Sequence, residues 1–119
     1  MERDQLTQLR DEVQAFCDER DWAQYHDIKE LAIGLITESS ELLELFRFQS
    51  KEQSEAMLTD PAKRTKIEDE LADVFFFVLR LSGKYGIDLP QSVRAKMVKN
   101  AEKYPVEKSR GSNRKYDEL

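Results

Sequence analysis

The sequence predicts an all-α fold, and three observations carry that reading. Apolar residues recur at helical spacing, as in Leu6, Leu9, Val13 and Phe16 or in Leu31, Leu35, Leu42 and Leu45. Only four glycines and three prolines punctuate 119 residues, and Pro61, Gly86, Pro90 and Pro105 stand at the boundaries of the periodic stretches. Aspartates suited to capping precede those stretches at Asp4, Asp60 and Asp88.

Asp4 opens a first helix running to about Glu19, with Leu6, Leu9, Val13 and Phe16 facing inward. Arg20 to His26 is a polar and aromatic connection carrying Trp22, Tyr25 and His26. A second helix extends from about Asp27 to Phe48, and Gln49 to Thr59 is a polar link with room for one helical turn. Asp60-Pro61 is a strong start signal, with proline at the first helical position. The third helix then runs to Tyr85, where Gly86 suits the left-handed residue beyond a helix end. Its core stripe is Ile67, Leu71, Val74, Val78 and Leu81. Asp88-Leu89-Pro90 opens a fourth helix that Pro105 ends. Residues 107–116 have no helical period, and their polar composition taken alone reads as disorder. The expectation is a single domain over 1–119, with a helical core at 1–105 and a tail at 106–119.

A chain of this length can bury one core but is short for an active site enclosed on all sides, so a four-helix bundle completed by oligomerisation is expected. With 36% charged residues and a mean hydropathy of -0.70, the apolar residues are confined to stripes. No apolar run approaches the roughly 18 residues that span a membrane. Met1-Glu2-Arg3-Asp4 lacks the basic-then-apolar order of a secretion signal, which leads us to expect a cytoplasmic protein with no membrane partner. Cys17 is the sole cysteine, so the sequence given holds no internal disulfide. A net charge of -5 and a pI near 5.0 argue against a nucleic-acid polymer as partner, because phosphate backbones select basic surfaces. A single nucleotide held through a metal ion is compatible with that charge.

Two carboxylate pairs carry the chemistry. Glu38 with Glu41, and Glu70 with Asp73, are each spaced three apart on a predicted helix, so each pair points two oxygen donors in one direction. Glu-x-x-Glu spacings also arise on ordinary exposed helix faces. Here, however, Glu38 fills a slot in the stripe Leu31, Leu35, Glu38, Leu42, Leu45, and Asp73 lies in the apolar run Leu71 to Val78. Burying unpaired carboxylates is costly, and a cation is the usual compensation. An all-oxygen donor set points to Mg2+, with Mn2+ as the alternative ion. With one His and one Cys in the chain, no spacing suits zinc, and the Glu-x-x-His motif of di-iron bundles is absent.

Once the pairs are placed on the second and third helices, the chain resembles the MazG-like nucleotide pyrophosphohydrolases, in the dCTP pyrophosphatase-like branch. The resemblance rests on Glu38-Ser39-Ser40-Glu41 and Glu70-Leu71-Ala72-Asp73, and on the Trp22-Ala23-Gln24-Tyr25-His26 segment before the metal helix. It extends through Ile87-Asp88-Leu89-Pro90, Lys103-Tyr104-Pro105-Val106 and the stretch from Ser109 to Tyr116, and it implies that this polar stretch is ordered and contributes to the site, against its composition. It implies an all-α homodimer or homotetramer that hydrolyses a nucleoside triphosphate to the monophosphate and pyrophosphate with magnesium. Glu38, Glu41, Glu70 and Asp73 would be the metal ligands by position, and Trp22 and His26 would belong to the base and sugar pocket. The chain departs from the pattern at Thr37, where an acidic residue often precedes the first ligand. It also departs at Phe48, Phe77 and Val13, where the branch carries Trp, Tyr and His.

An acidic protein needs divalent ions to hold a triphosphate, so the metal belongs to substrate binding as well as catalysis. Glu41 and Glu38 are the candidate catalytic carboxylates, with Glu41 able to accept a proton from water. Phe48 and Phe77 are candidate stacking partners for a base beside Trp22. Lys96, Asn100, Lys103 and Tyr104, at helical spacing, and Arg110 and Lys115 of the tail, are candidates to neutralise the leaving pyrophosphate. Two other readings stay open: a non-catalytic homo-oligomer that binds nucleotides or another protein, and a dUTP or broad-specificity triphosphate hydrolase.

Overall fold

The computed structural model describes residues 4–119, which fold as helices and turns without a strand. Met1 to Arg3, on which the expected absence of a targeting signal partly rests, lie outside the described residues. Among those described, no helix is long and apolar enough to cross a membrane.

Local side-chain chemistry sets the helix ends. Asp4 accepts the Thr7 amide at 2.9 Å and opens α1 (Gln5–Glu19). That helix stops without a glycine: Trp22 N–H reaches Cys17 O at 3.0 Å and Asp21 N–H reaches Asp18 O at 3.1 Å, while Asp21 takes φ 55°. This is a Schellman closure with aspartate in the left-handed position, and the Phe16 and Trp22 rings meet edge to face across it at 5.7 Å. A short 3-10 turn, Ala23–Tyr25, leads to Asp27, whose carboxylate accepts the Glu30 amide at 2.8 Å and starts α2 (Ile28–Glu44).

The second helix is shorter than its pattern suggests. Phe46 and Arg47 bond back three residues, to Leu43 and Glu44, and Phe48 turns out of the helix at φ 66°. The link to the next long helix is more ordered than expected. Ser50 and Gln53 form a reciprocal capping box that starts α3 (Lys51–Ala56), and a 3-10 turn, Met57–Thr59, follows. Asp60 then accepts the Ala62 and Lys63 amides at the head of α4 (Pro61–Tyr85), which Gly86 ends at φ 64°.

The chain divides into two compact units, one ending at Gly86 and the other spanning Ile87–Leu119. The boundary therefore falls before the fourth long helix, which groups with the tail. In the first unit α4 is the central element, packed against α2 and α1. Gly34 abuts Phe77, and Glu38 lies near Glu70, so α2 and α4 run antiparallel; Arg10 beside Gly83 and Phe16 beside Phe76 give α1 the same sense. Val13, Cys17, Leu31 and Leu79 are buried. The inward stripe expected on α4 is only partly kept: Ile67, Val74, Val78 and Leu81 are half-buried, but Leu71 is 56% exposed. Leu9 and Phe16 on α1 are likewise more open than predicted, and Cys17 takes the buried place.

In the second unit, Asp88 accepts the Gln91 amide at 3.0 Å to start α5 (Leu89–Lys103), and a single helical turn, α6 (Val106–Ser109), follows Pro105. The tail is not the disordered segment its composition suggests. Lys108 and Ser109 bond back to Pro105, Arg110 to Val106 and Ser112 to Ser109, and the Tyr116 ring meets Tyr104 at 6.2 Å. Aromatic packing of this kind offsets the entropy of ordering a polar segment.

Candidate metal centre

The antiparallel pairing of α2 and α4 sets the turn containing Glu38 and Glu41 against the turn containing Glu70. Each of these three glutamates offers a carboxylate oxygen, and the three atoms lie within 4.8 Å of one another. Glu38 and Glu70 are half-buried and Glu41 is exposed. Among the described residues, none of the three, nor Asp73, is ion-paired to a lysine or arginine. Oε2 of Glu38 and Oε2 of Glu70 are buried with no hydrogen-bond partner.

Such a cluster is electrostatically unstable by itself. Burial pushes the Glu38 carboxyl up to about 7, and the neighbouring charges of Glu41, Asp73 and Glu70 add to the shift. Glu70 is raised as well, again chiefly by burial and then by Glu41, Asp73 and Asp69. Asp73 is exposed and stands outside the three-oxygen cluster, although its charge acts on both buried glutamates. Orphaned carboxylate oxygens among hard donors, with no nitrogen or sulfur in the group, fit Mg2+ or Mn2+.

The predicted nucleotide-contacting residues divide into separate groups. Trp22 and His26 come together at the joint between α1 and α2, their ring centroids 6.2 Å apart, and Phe16 continues the row to Phe76 at 5.9 Å. Phe77 is half-buried against α2, edge to face with Phe76 at 5.6 Å. Phe48 is 89% exposed, with the Arg47 guanidinium 4.7 Å from its ring centroid. Lys96, Asn100, Lys103, Tyr104, Arg110 and Lys115 all belong to the unit from Ile87 onward. Within it, Lys103 Nζ lies 5.0 Å from the Tyr116 ring that also touches Tyr104. A broad open cavity in the same unit is lined by Lys108, Ser112, Asn113 and Arg114, none of which the sequence marked as a phosphate contact.

Two residues near the carboxylates and the joint also escaped sequence reasoning. Gly34, one turn before Glu38, has no room for a side chain: a Cβ there would stand 2.3 Å from Phe77 Cε1. The available signal was a glycine inside a strongly helical stretch. Arg80 is 4% exposed, and its Nε donates to His26 Nδ1 at 3.1 Å. Its signal was a lone charge within the apolar run from Phe75 to Leu81. Lys84 joins it from the next turn of α4, its ammonium donating to the carbonyl oxygens of His26 and Ala23.

Comparisons with known proteins identify the family. The model of the MazG-like family matches residues 33–119. A dCTP pyrophosphatase 1 from Mus musculus is 39% identical over 104 residues, and that of Homo sapiens is 36% identical over 104. Both alignments cover 87% of this chain and 61% of the relative, so the chain spans about three fifths of the length of these curated proteins. A crystal structure of a pyrophosphatase from Archaeoglobus fulgidus superposes with a TM-score of 0.80 at 33% identity, covering 88% of this chain and 96% of that one. The helical architecture, the carboxylate turns of α2 and α4 and the family match over residues 33–119 lead to one conclusion: this chain belongs to the MazG-like family.

Proposed function

We propose that the chain is a divalent-metal-dependent pyrophosphohydrolase of nucleoside triphosphates, with dCTP or a modified dCTP as its first substrate. The observation that most supports this is the convergence of Glu38, Glu41 and Glu70 across α2 and α4 with two carboxylate oxygens left unsatisfied. The names of the mouse and human relatives and of the archaeal neighbour support the same class of reaction.

In this reading Glu38, Glu41, Glu70 and Asp73 hold Mg2+, or Mn2+ in its place. When bound, such an ion supplies charge neutralisation for the triphosphate and lowers the pKa of a coordinated water. Glu41, the exposed member of the cluster, accepts the proton of the attacking water, and Glu38 shares in holding the reacting groups. Water adds its oxygen to the α-phosphorus, the bond to the β-phosphate oxygen breaks, and pyrophosphate leaves. Trp22 stacks on the base and His26 contacts the base or sugar, with Phe77 and Phe48 contributing aromatic surface. Lys96, Asn100, Lys103, Tyr104, Arg110 and Lys115 serve the phosphates as donors and cations.

The assembly we propose is a homodimer or homotetramer. Ile33, Ile36 and Leu43 on α2, and Leu71 and Phe75 on α4, are exposed in the single chain, which is a large apolar surface for a domain this small. The decisive experiment measures pyrophosphate release from each common dNTP and NTP, with and without Mg2+. Metal-dependent release led by dCTP is expected. No release from any triphosphate would refute the catalytic reading in favour of a binding protein, and preference for dUTP would redirect the substrate assignment.

A further inference from the structure

We propose that Arg80 is a positioning residue for the chain's single imidazole, holding His26 as the tautomer with its proton on Nε2 so that it presents a hydrogen-bond donor. The inference deepens the reading of His26 as a nucleotide contact and rests on that reading for its functional part.

The geometry carries the argument. Arg80 Nε is a donor only, so Nδ1 of His26, 3.1 Å away, must accept. An imidazole that accepts at Nδ1 while neutral carries its hydrogen on Nε2. Catalytic and metal-binding histidines have the reverse arrangement, in which Nδ1–H donates to a carboxylate or carbonyl and leaves Nε2 as the base or ligand. His26 is therefore built to donate, and the geometry removes it from the list of general bases.

The surroundings support the same conclusion. Arg80 is 4% exposed, and among the described residues no carboxylate lies within ion-pair distance of it, so no ion pair competes with its hydrogen bond to His26. Lys84 fixes the backbone of the same residue by donating to the His26 carbonyl, and Trp22 packs edge-on to the ring. Burial, with the nearby Arg80 and Lys84 charges, pushes the imidazole below its ordinary range, so the ring is neutral near pH 7 and has only one N–H to place. The acceptors a fixed donor would suit are a pyrimidine carbonyl, a ring nitrogen or a sugar hydroxyl oxygen.

With only one histidine in the chain, the test is direct. Long-range proton–nitrogen correlation spectra of the 15N-labelled protein near pH 7.5 should show one imidazole in the pure Nε2–H form. Arg80→Met should convert that pattern to a tautomer mixture and raise KM for the preferred nucleotide about tenfold, the worth of one well-placed hydrogen bond, with a smaller change in kcat. Arg80→Lys should restore part of both. An Nδ1–H pattern in the unaltered protein would overturn the assignment without any variant, as would a pattern unchanged in Arg80→Met. A His26→Leu control, which removes the donor, separates the two layers. Wild-type KM in that variant would refute the pocket reading and with it the functional role of Arg80, even where the tautomer result stands.

Discussion

Replacing Gly34 with alanine tests how closely α2 and α4 are fitted beside the carboxylates. In an ordinary helix interior this change stabilises by about 1 kcal/mol, because glycine loses more backbone freedom on folding. Here the added carbon would stand 2.3, 2.6 and 2.8 Å from Cε1, Cζ and Cδ1 of Phe77. Comfortable carbon contacts are near 3.5–4.0 Å, so the ring must retreat by roughly 1 Å, toward the Phe76 ring that already touches it. Overpacking of this kind costs about 1–3 kcal/mol, which offsets the helix gain and leaves a net loss of up to about 2 kcal/mol. Urea unfolding of the metal-free protein, Gly34→Ala, Phe77→Ala and the double variant forms a cycle. With the ring removed, alanine at 34 should regain its usual benefit, giving a coupling of about 1–3 kcal/mol at constant m-value. If Gly34→Ala stabilises the parent protein by about 1 kcal/mol and does the same in the Phe77→Ala background, the close approach inferred from the structure is wrong.

Three other outcomes follow from the site and the tail. Glu41→Gln should lower turnover by more than about tenfold while leaving the metal-free fold at least as stable, since a repelling charge is removed; steady-state kinetics and urea midpoints together check this. Glu38, raised to about 7 in the metal-free fold, holds a proton that the unfolded chain has released, so its contribution to stability should be full below pH 4.5 and decline as pH rises through about 7. Adding Mg2+ should abolish that decline, and affinity for the ion should rise over the same window as the competing proton leaves; unfolding midpoints at pH 5 and pH 8, with and without the ion, measure both. Ending the chain after Val106 removes Arg110 and Lys115 and should raise KM or lower turnover several-fold, whereas unchanged kinetics would restrict the substrate site to the helices.

How much was legible depended on how local each signal was. The caps at Asp4, Asp60 and Asp88 and the stop at Gly86 act within one turn, and the structure has each where the sequence placed it. The carboxylate cluster was readable because Glu38 interrupts an apolar stripe, a pattern that only burial explains. The end of α1 was found from composition alone, without its mechanism, because aspartate rather than glycine takes the left-handed position. The α3 cap, Ser50 with Gln53, was overlooked although its spacing is a recognised start signal. Phe48 lies outside the helix its pattern predicts because it takes a positive φ, a conformation rare for an aromatic residue that no spacing signals. The partner of Arg80 lay beyond reach for another reason: it is 54 residues away, and periodicity carries no information about that distance.

The clamp that α4 places on the joint between α1 and α2 also orders the folding reaction. Closing a free chain over the 54 residues from His26 to Arg80 costs about 3.5 kcal/mol of loop entropy, more than the roughly 1.5–3 kcal/mol that one hydrogen bond from a charged donor returns. The joint therefore closes only after α2 has docked on α4 through Gly34 and Phe77, when only short segments remain to be drawn together. By the same reasoning it opens first, as a sub-global event that frees α1 and the Trp22-to-His26 turn while the α2–α4 pair persists. For a nucleotide held at that turn, as the proposed pocket requires, this partial opening would be the route of release.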